Sequence, residues 1–318
     1  MDNRRKENLF FLFTVLAVTV IAYAPMVDGI LRFSVRTTQA VNAFVLVAVA
    51  FADAFATVIR RHAFRVRINN HGLFLFTLSC VALASASVSW LWPLAVLALC
   101  LNLVALLSFC FGREGAREFT PAVAGLGIGV GMLIFVPRLD AALRMAAAKV
   151  SAWALAEAGF RAELAVREMP FRVVMLVERG AAGLYDVATE CNGFGILLSC
   201  VVLTVIVALR RRAPAAVFAA LLGFSLVAGL VFNSLRIVAI VMASVRTDMD
   251  YDAIHEGLGS VVYLLALGLV YAVTLAATRA RTGAAGPDRG SEVILPRRSC
   301  RRRCLCRRMW WRIPGRCL

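Results

Sequence analysis

Apolar runs of helical length recur along this chain as far as Ala277, parted by short polar stretches in which arginine dominates. Eight such runs stand out: Leu9 to Tyr23 with an extension toward Val27, Ala40 to Ile59, Leu73 to Trp90, Leu94 to Phe111, Pro121 to Val136, Phe194 to Leu209, Ala215 to Asn233, and Leu258 to Ala277. Each approaches the roughly 20 residues that an α-helix needs to cross a bilayer core. The pattern therefore predicts an all-α polytopic membrane protein with about eight transmembrane helices. A short loop carrying Asp28, Arg32 and Arg36 is expected after the first, and a tight turn at Trp90, Trp92 and Pro93 between the third and fourth, where tryptophan suits the membrane–water interface. Gly125, Gly127, Gly129 and Gly131 in the fifth run mark close helix packing. Asp53, alone inside the second run, is expected to pack against a polar partner.

Two stretches break the pattern. Pro137 to Glu190 is the longest non-membrane segment before the tail. Its first part places Leu139, Leu143, Ala146, Val150 and Trp153 at three- and four-residue steps, which predicts an amphipathic helix lying along the membrane surface. In its second part, Phe171 to Val177 and Leu184 to Val187 flank Glu178, Arg179 and Gly180, which reads as a short hairpin. Beyond Asn233 and Arg236, Ile237 to Ser244 continues apolar as a bent or re-entrant extension. An acidic loop with Asp248, Asp250, Asp252 and Glu256 then contains His255.

Composition agrees with this picture: 61% of residues are hydrophobic and the mean hydropathy is +0.80, well above the balance of an ordinary soluble domain. The net charge of +16 would suit a nucleic-acid partner, but the arginines sit in short clusters between apolar runs and in the tail, which is the distribution of topology signals. Arg4, Arg5 and Lys6 before the first run resemble a signal peptide; with no clean small-residue cleavage site after it, a retained helix is expected. By the positive-inside rule the N-terminus, the loops at Arg60, Arg113 and Arg210, and the C-terminus fall in the cytoplasm of a cell (inner) membrane protein. Only Arg32 and Arg36 go against the bias. Residues 1–281 are read as one membrane domain with residues 137–190 extracytoplasmic, and 282–318 as a disordered basic cytoplasmic tail drawn to anionic lipid.

Of nine cysteines, Cys80, Cys100, Cys110 and Cys200 lie in apolar runs as small packed hydrophobes. Cys300, Cys304, Cys306 and Cys317 lie in the tail, at a spacing that matches no common zinc pattern. Cys191 differs: it sits at a polar boundary just before the sixth run. The topology puts Cys191, Arg236 and His255 on one extracytoplasmic face. A cysteine beside a cation or a helix N-terminus forms its thiolate more readily. A histidine moves protons, and an arginine stabilises an oxyanion. Each alone has a plainer reading, as a packed thiol, a snorkelling interface cation and a loop histidine. A serine enzyme built on Ser260 lacks the glycines of a nucleophile elbow, since Leu258 and Val262 occupy those positions.

At these positions the chain resembles a family. Glu190-Cys191-Asn192-Gly193, Asn233-Ser234-Leu235-Arg236-Ile237 and His255-Glu256-Gly257, in this order and at helix ends, look like the three motif blocks of the exosortase and archaeosortase family. The resemblance covers roughly Val187 to Ala277, and the earlier helices by count and topology. It implies a transpeptidase-like sorting enzyme that cuts C-terminal signals made of a recognition motif, a membrane helix and a basic end. Carried over, Cys191 is the nucleophile, Arg236 the transition-state stabiliser and His255 the acid or base, with Asn192, Gly193 and Asn233 as motif support. The implied partners are exported proteins bearing such signals, membrane lipids, and a lipid- or glycan-linked acceptor. No cofactor is called for. The alternative is a non-catalytic membrane protein, a transporter or assembly factor; no internal repeat or paired broken helix supports a transporter.

Overall fold

Seven helices and a three-stranded sheet make up the computed structural model, which describes residues 3–36, 38–61, 64, 66–89, 91–167, 172–179, 181–186, 193–247 and 251–284. The order is α1 (Asn3–Arg36), α2 (Thr38–Arg61), α3 (Asn70–Ser89), α4 (Trp92–Glu157), β1 (Arg161–Arg167), β2 (Arg172–Arg179), β3 (Ala181–Asp186), α5 (Phe194–Arg210), α6 (Ala215–Arg246) and α7 (Tyr251–Ala284). The loop expected at Asp28, Arg32 and Arg36 is helical backbone, the end of α1. Trp90 and residues 285–318 lie outside the described residues.

The eight apolar runs are carried on these seven helices because α4 holds two of them. Gly112 interrupts it at φ 71°, ψ 177°, a conformation open to glycine at no steric cost. The chain then folds back on itself. The Cys100 thiol donates to the Val123 carbonyl at 3.7 Å, and a Cβ on Gly127 would lie 2.6 Å from Cys100 Sγ. The two arms are thus antiparallel, closely packed as the glycine pattern suggested. Among the described residues, six helices are long and apolar enough to cross a membrane. In one of them the apolar window, Trp92–Phe135, is 44 residues long, about 66 Å of helix and so about twice a bilayer core. α5, at 17 residues, belongs to a shorter class.

Arginine-bearing helix ends meet at one end of the bundle. Arg61 at the end of α2 pairs with Glu118 beyond the Gly112 bend at 3.5 Å. Arg210, at the end of α5, pairs with Asp53 of α2, the polar partner that residue was expected to need. Both of those side chains are about half exposed, so the pair contributes no more than about 1 kcal/mol.

At the other end, three expectations change. The amphipathic segment is not a separate helix on the membrane surface but the continuation of the second arm of α4, helical without a break to Glu157. Its buried side is the small-residue face Ala147, Ala148, Ser151 and Ala152 with Leu155. Of the stripe read from the sequence, Leu143 packs against the core around α5, while Leu139, Val150 and Trp153 are left outward at 45%, 46% and 66% exposure. Small side chains let a sheet approach closely; Trp153 on that face would hold it off. The hairpin is in fact a three-stranded antiparallel meander, β1-β2-β3, with Leu164 opposite Met175 and Leu176 opposite Leu184. Alternate residues Val173, Met175 and Val177 of β2 are fully buried against the α4 face, with Ala162 and Leu164 of β1 beside them. The third change is in α6, which continues as one helix through to Arg246 with no re-entrant turn. Its Ile237 and Val241 complete the same core, and Ser151 of α4 donates to the Ser234 carbonyl of α6 at 3.3 Å.

α5 and α6 pack tightly, and one glycine sets their separation. A Cβ on Gly229 would lie 2.8 Å from Leu197 Cα and 3.3 Å from Leu197 N, backbone that cannot rotate away. Alanine is the better helix former by about 1 kcal/mol, yet overpacking costs about 1–3 kcal/mol. Gly229→Ala is therefore expected to lower the thermal unfolding temperature of the detergent-solubilised protein. An unchanged or higher value would show that α6 can shift freely.

Candidate active site

Three helices bring the site together, and α6 is its backbone. Asn233 and Arg236 lie one turn apart on the same face, 18 and 21 residues from the start of α6 at Ala215, about 27 and 32 Å along the axis. That is about the thickness of a bilayer core. They are buried, at 1% and 6% exposure, where a polar group must find partners to offset its desolvation.

α5 meets Asn233 through Gly193. This residue caps the N-terminus of α5 in the left-handed region, φ 77° and ψ 2°, with no side-chain cap bond. Its carbonyl accepts from Leu197 N at 3.0 Å, the first turn of the helix. A Cβ here would stand 2.4 Å from Cγ of Asn233 and 2.6 Å from its Nδ2. Glycine is required on both counts, conformation and space. Farther along, Tyr263 of α7 donates its hydroxyl to Ser199 of α5 at 2.9 Å, with Ser199 fully buried. This bond ties α5 to α7 below the site.

α7 meets Arg236 through His255. The sequence placed His255 in an acidic loop; it stands instead in the second turn of α7, while residues 248–250 lie outside the described residues. Arg236 Nη2 and His255 Nε2 are 3.1 Å apart. A guanidinium only donates, so Nε2 must accept, which makes the ring neutral with its proton on Nδ1. Arg236 Nε is buried and has no hydrogen-bond partner among the described residues. The N-terminal ends of α5 and α7 add positive potential from unpaired backbone N–H groups. The place is built for developing negative charge.

The structure thus joins Arg236 to His255 and Gly193 to Asn233, and places both pairs on successive turns of α6. Cys191 and Asn192 lie outside the described residues. Ser260 is exposed, about 140° around the helix from His255, and takes no part. Sequence reasoning missed Gly259, Ser199 and Tyr263, which no short motif distinguishes from ordinary helix residues. They acquire meaning only once α5, α6 and α7 are in register.

The family model described as transmembrane exosortase (Exosortase_EpsH) matches residues 35–272, which include all of α5, α6 and the described site. Comparison with curated proteins and with solved structures found no match. The match extends over most of the chain, from the last residues of α1 through the site on α5, α6 and α7, and on it the chain belongs to the transmembrane exosortase family, membrane-embedded sorting enzymes of the transpeptidase and protease class.

Proposed function

We propose that the protein is a cysteine transpeptidase or peptidase that cuts C-terminal sorting signals, made of a recognition motif, a membrane helix and a basic end, from exported proteins. The observation that carries this reading is the pairing of buried Arg236 with half-buried His255 beside the head of α5. Gly193 at that head is two residues beyond Cys191, about 7 Å of chain at most. Asn233, in contact with Gly193, is one turn from Arg236.

In the resting site the Nε2 lone pair of His255 is taken up by Arg236. A scissile carbonyl that begins to carry negative charge is a stronger acceptor than imidazole and draws the guanidinium donor to itself. That frees His255 to take the Cys191 thiol proton as sulfur bonds to the carbonyl carbon. The imidazolium and guanidinium then flank an oxyanion, so neither cation is left uncompensated. Collapse breaks the C–N bond, the departing amine takes the proton from His255, and a thioester remains on Cys191. An acceptor amine on a lipid or glycan precursor attacks that thioester, loses a proton through His255 and returns the thiol. Water in its place completes hydrolysis. Nothing in the cycle calls for a cofactor.

The arginines at the ends of α2 and α5 and beyond the Gly112 bend favour, by the positive-inside rule, a cytoplasmic position for that end of the bundle. The active site then faces outward from a cell (inner) membrane, where an exported substrate presents the junction between its outer domain and its membrane helix. Mass spectrometry of C-terminal peptides from membrane and surface proteins tests this in cells carrying the parent protein or Cys191→Ala. A set of proteins that keeps its C-terminal helix and basic end only in the variant is the expected result. Identical C-termini in both would end the catalytic reading.

A further inference from the structure

Arg236 meets α7 at a residue with no side chain. Gly259 stands one turn beyond His255 on the same helix, and it is buried. A Cβ built on it would lie 2.8 Å from Arg236 Nε, 3.2 Å from Nη2 and 3.3 Å from Cζ. A methyl carbon does not settle this close to a nitrogen. The guanidinium therefore occupies a notch in α7 that exists only because position 259 lacks a side chain. We propose that Gly259 is a positioning residue of this enzyme: its notch sets where the Arg236 guanidinium rests, holds Nη2 on His255 Nε2, and so keeps the imidazole in the Nδ1–H form. The proposal rests on the reading of Arg236 and His255 as reacting groups.

The kind of neighbour separates this glycine from the others at the site. Gly229 faces Leu197 backbone, and Gly193 combines a positive φ with its contact to Asn233. Gly259 faces the far end of a long side chain, in an ordinary helical stretch of α7. A methyl group there is accommodated by displacing the guanidinium, not the helix. Arg236 is 6% exposed, so it has little room to retreat without changing its bond to His255. That bond is 3.1 Å long, and a lengthening of several tenths of an ångström carries such a contact beyond hydrogen-bond range. Gly268 on the same helix has open space around its Cα and serves as the matched control.

The protein has three histidines, so full-length protein labelled with 15N-histidine in lipid nanodiscs gives a small set of imidazole signals. His255→Gln identifies those of His255, and the 15N shifts report its tautomer. In Gly259→Ala the His255 signals should move from the Nδ1–H form toward a mixture of tautomers, while those of His62 and His71 stay in place. Cleavage of a sorting-signal peptide identified in cells should lose about 10- to 100-fold in kcat with KM little changed, the scale expected for a group misplaced by up to about 1 Å. The unfolding temperature should not fall, since alanine is the better helix former. Gly268→Ala should match the parent in its histidine signals and kinetics and unfold no lower. In an Arg236→Lys background, which has no Nε or Cζ to displace, Ala at 259 should add nothing to the change in the His255 signals.

Unmoved His255 signals in Gly259→Ala would overturn the proposal. So would a lower unfolding temperature with all three histidines shifting together, because that is the mark of a packing role. The signals are read without substrate, so they decide the role of the notch whether or not the Cys191 chemistry stands.

Discussion

Cys191→Ala should fold and insert as the parent does, with its rate of signal cleavage reduced by about 10⁴-fold or more, the scale seen when an enzyme loses its nucleophile. The expected size follows from the mechanism: without the thiol no thioester forms, and what remains is water attack assisted only by Arg236 and bound geometry. Stability should be little affected, because the Arg236–His255 pair and the Gly193–Asn233 contact are made by other residues. The measurement is cleavage of a sorting-signal peptide in nanodiscs, paired with capture of the intermediate. Hydroxylamine added during turnover should release substrate as a hydroxamate from the parent and none from the variant. A variant that keeps a tenth of the parent rate would remove Cys191 from the chemistry and move the search for a nucleophile elsewhere on this face.

Arg236→Ala should lose about 10²- to 10³-fold in kcat, the range for removing one oxyanion donor, with a further loss because His255 is no longer held in one tautomer. Arg236→Lys should recover only part of this. Lysine supplies charge, but as a single point and not a fork, and it cannot serve oxyanion and imidazole from the same place. Stability should move the other way from activity. Arg236 is a buried cation whose Nε has no partner among the described residues, and an apolar residue of similar volume in its place, as in Arg236→Met, is expected to be neutral or stabilising. Steady-state kinetics and thermal unfolding on the same preparations check both halves. A sharp fall in unfolding temperature with kcat intact would recast Arg236 as a structural residue.

The legible part of the fold was whatever repeats within a single segment. Apolar length marked the six long apolar helices found among the described residues, and the arginine clusters marked one end of the bundle, where Arg61 and Arg210 are now seen paired with Glu118 and Asp53. The motif blocks pointed to Gly193, Asn233, Arg236 and His255. Reading the α4 extension failed because periodicity identifies an apolar stripe without saying what covers it. The large residues Val150 and Trp153 suggested a lipid-facing side, whereas the sheet needed the small face of Ala147, Ala148 and Ala152. β1 was missed because Arg161–Arg167 is rich in alanine and charge, which are poor strand signals. Once β2 offered Val173, Met175 and Val177, pairing outweighed propensity.

By itself, then, the sequence determined a polytopic helical membrane protein, the residues of its motif blocks and the distribution of its charge, since each is local in the chain. Only the tertiary structure decided that α4 doubles back at Gly112, that α6 leaves the bundle unbroken to support the sheet, and that Gly259 makes room for Arg236. These depend on the rotation and axial shift of one helix against another. A regular helix leaves both free until its neighbours pack against it.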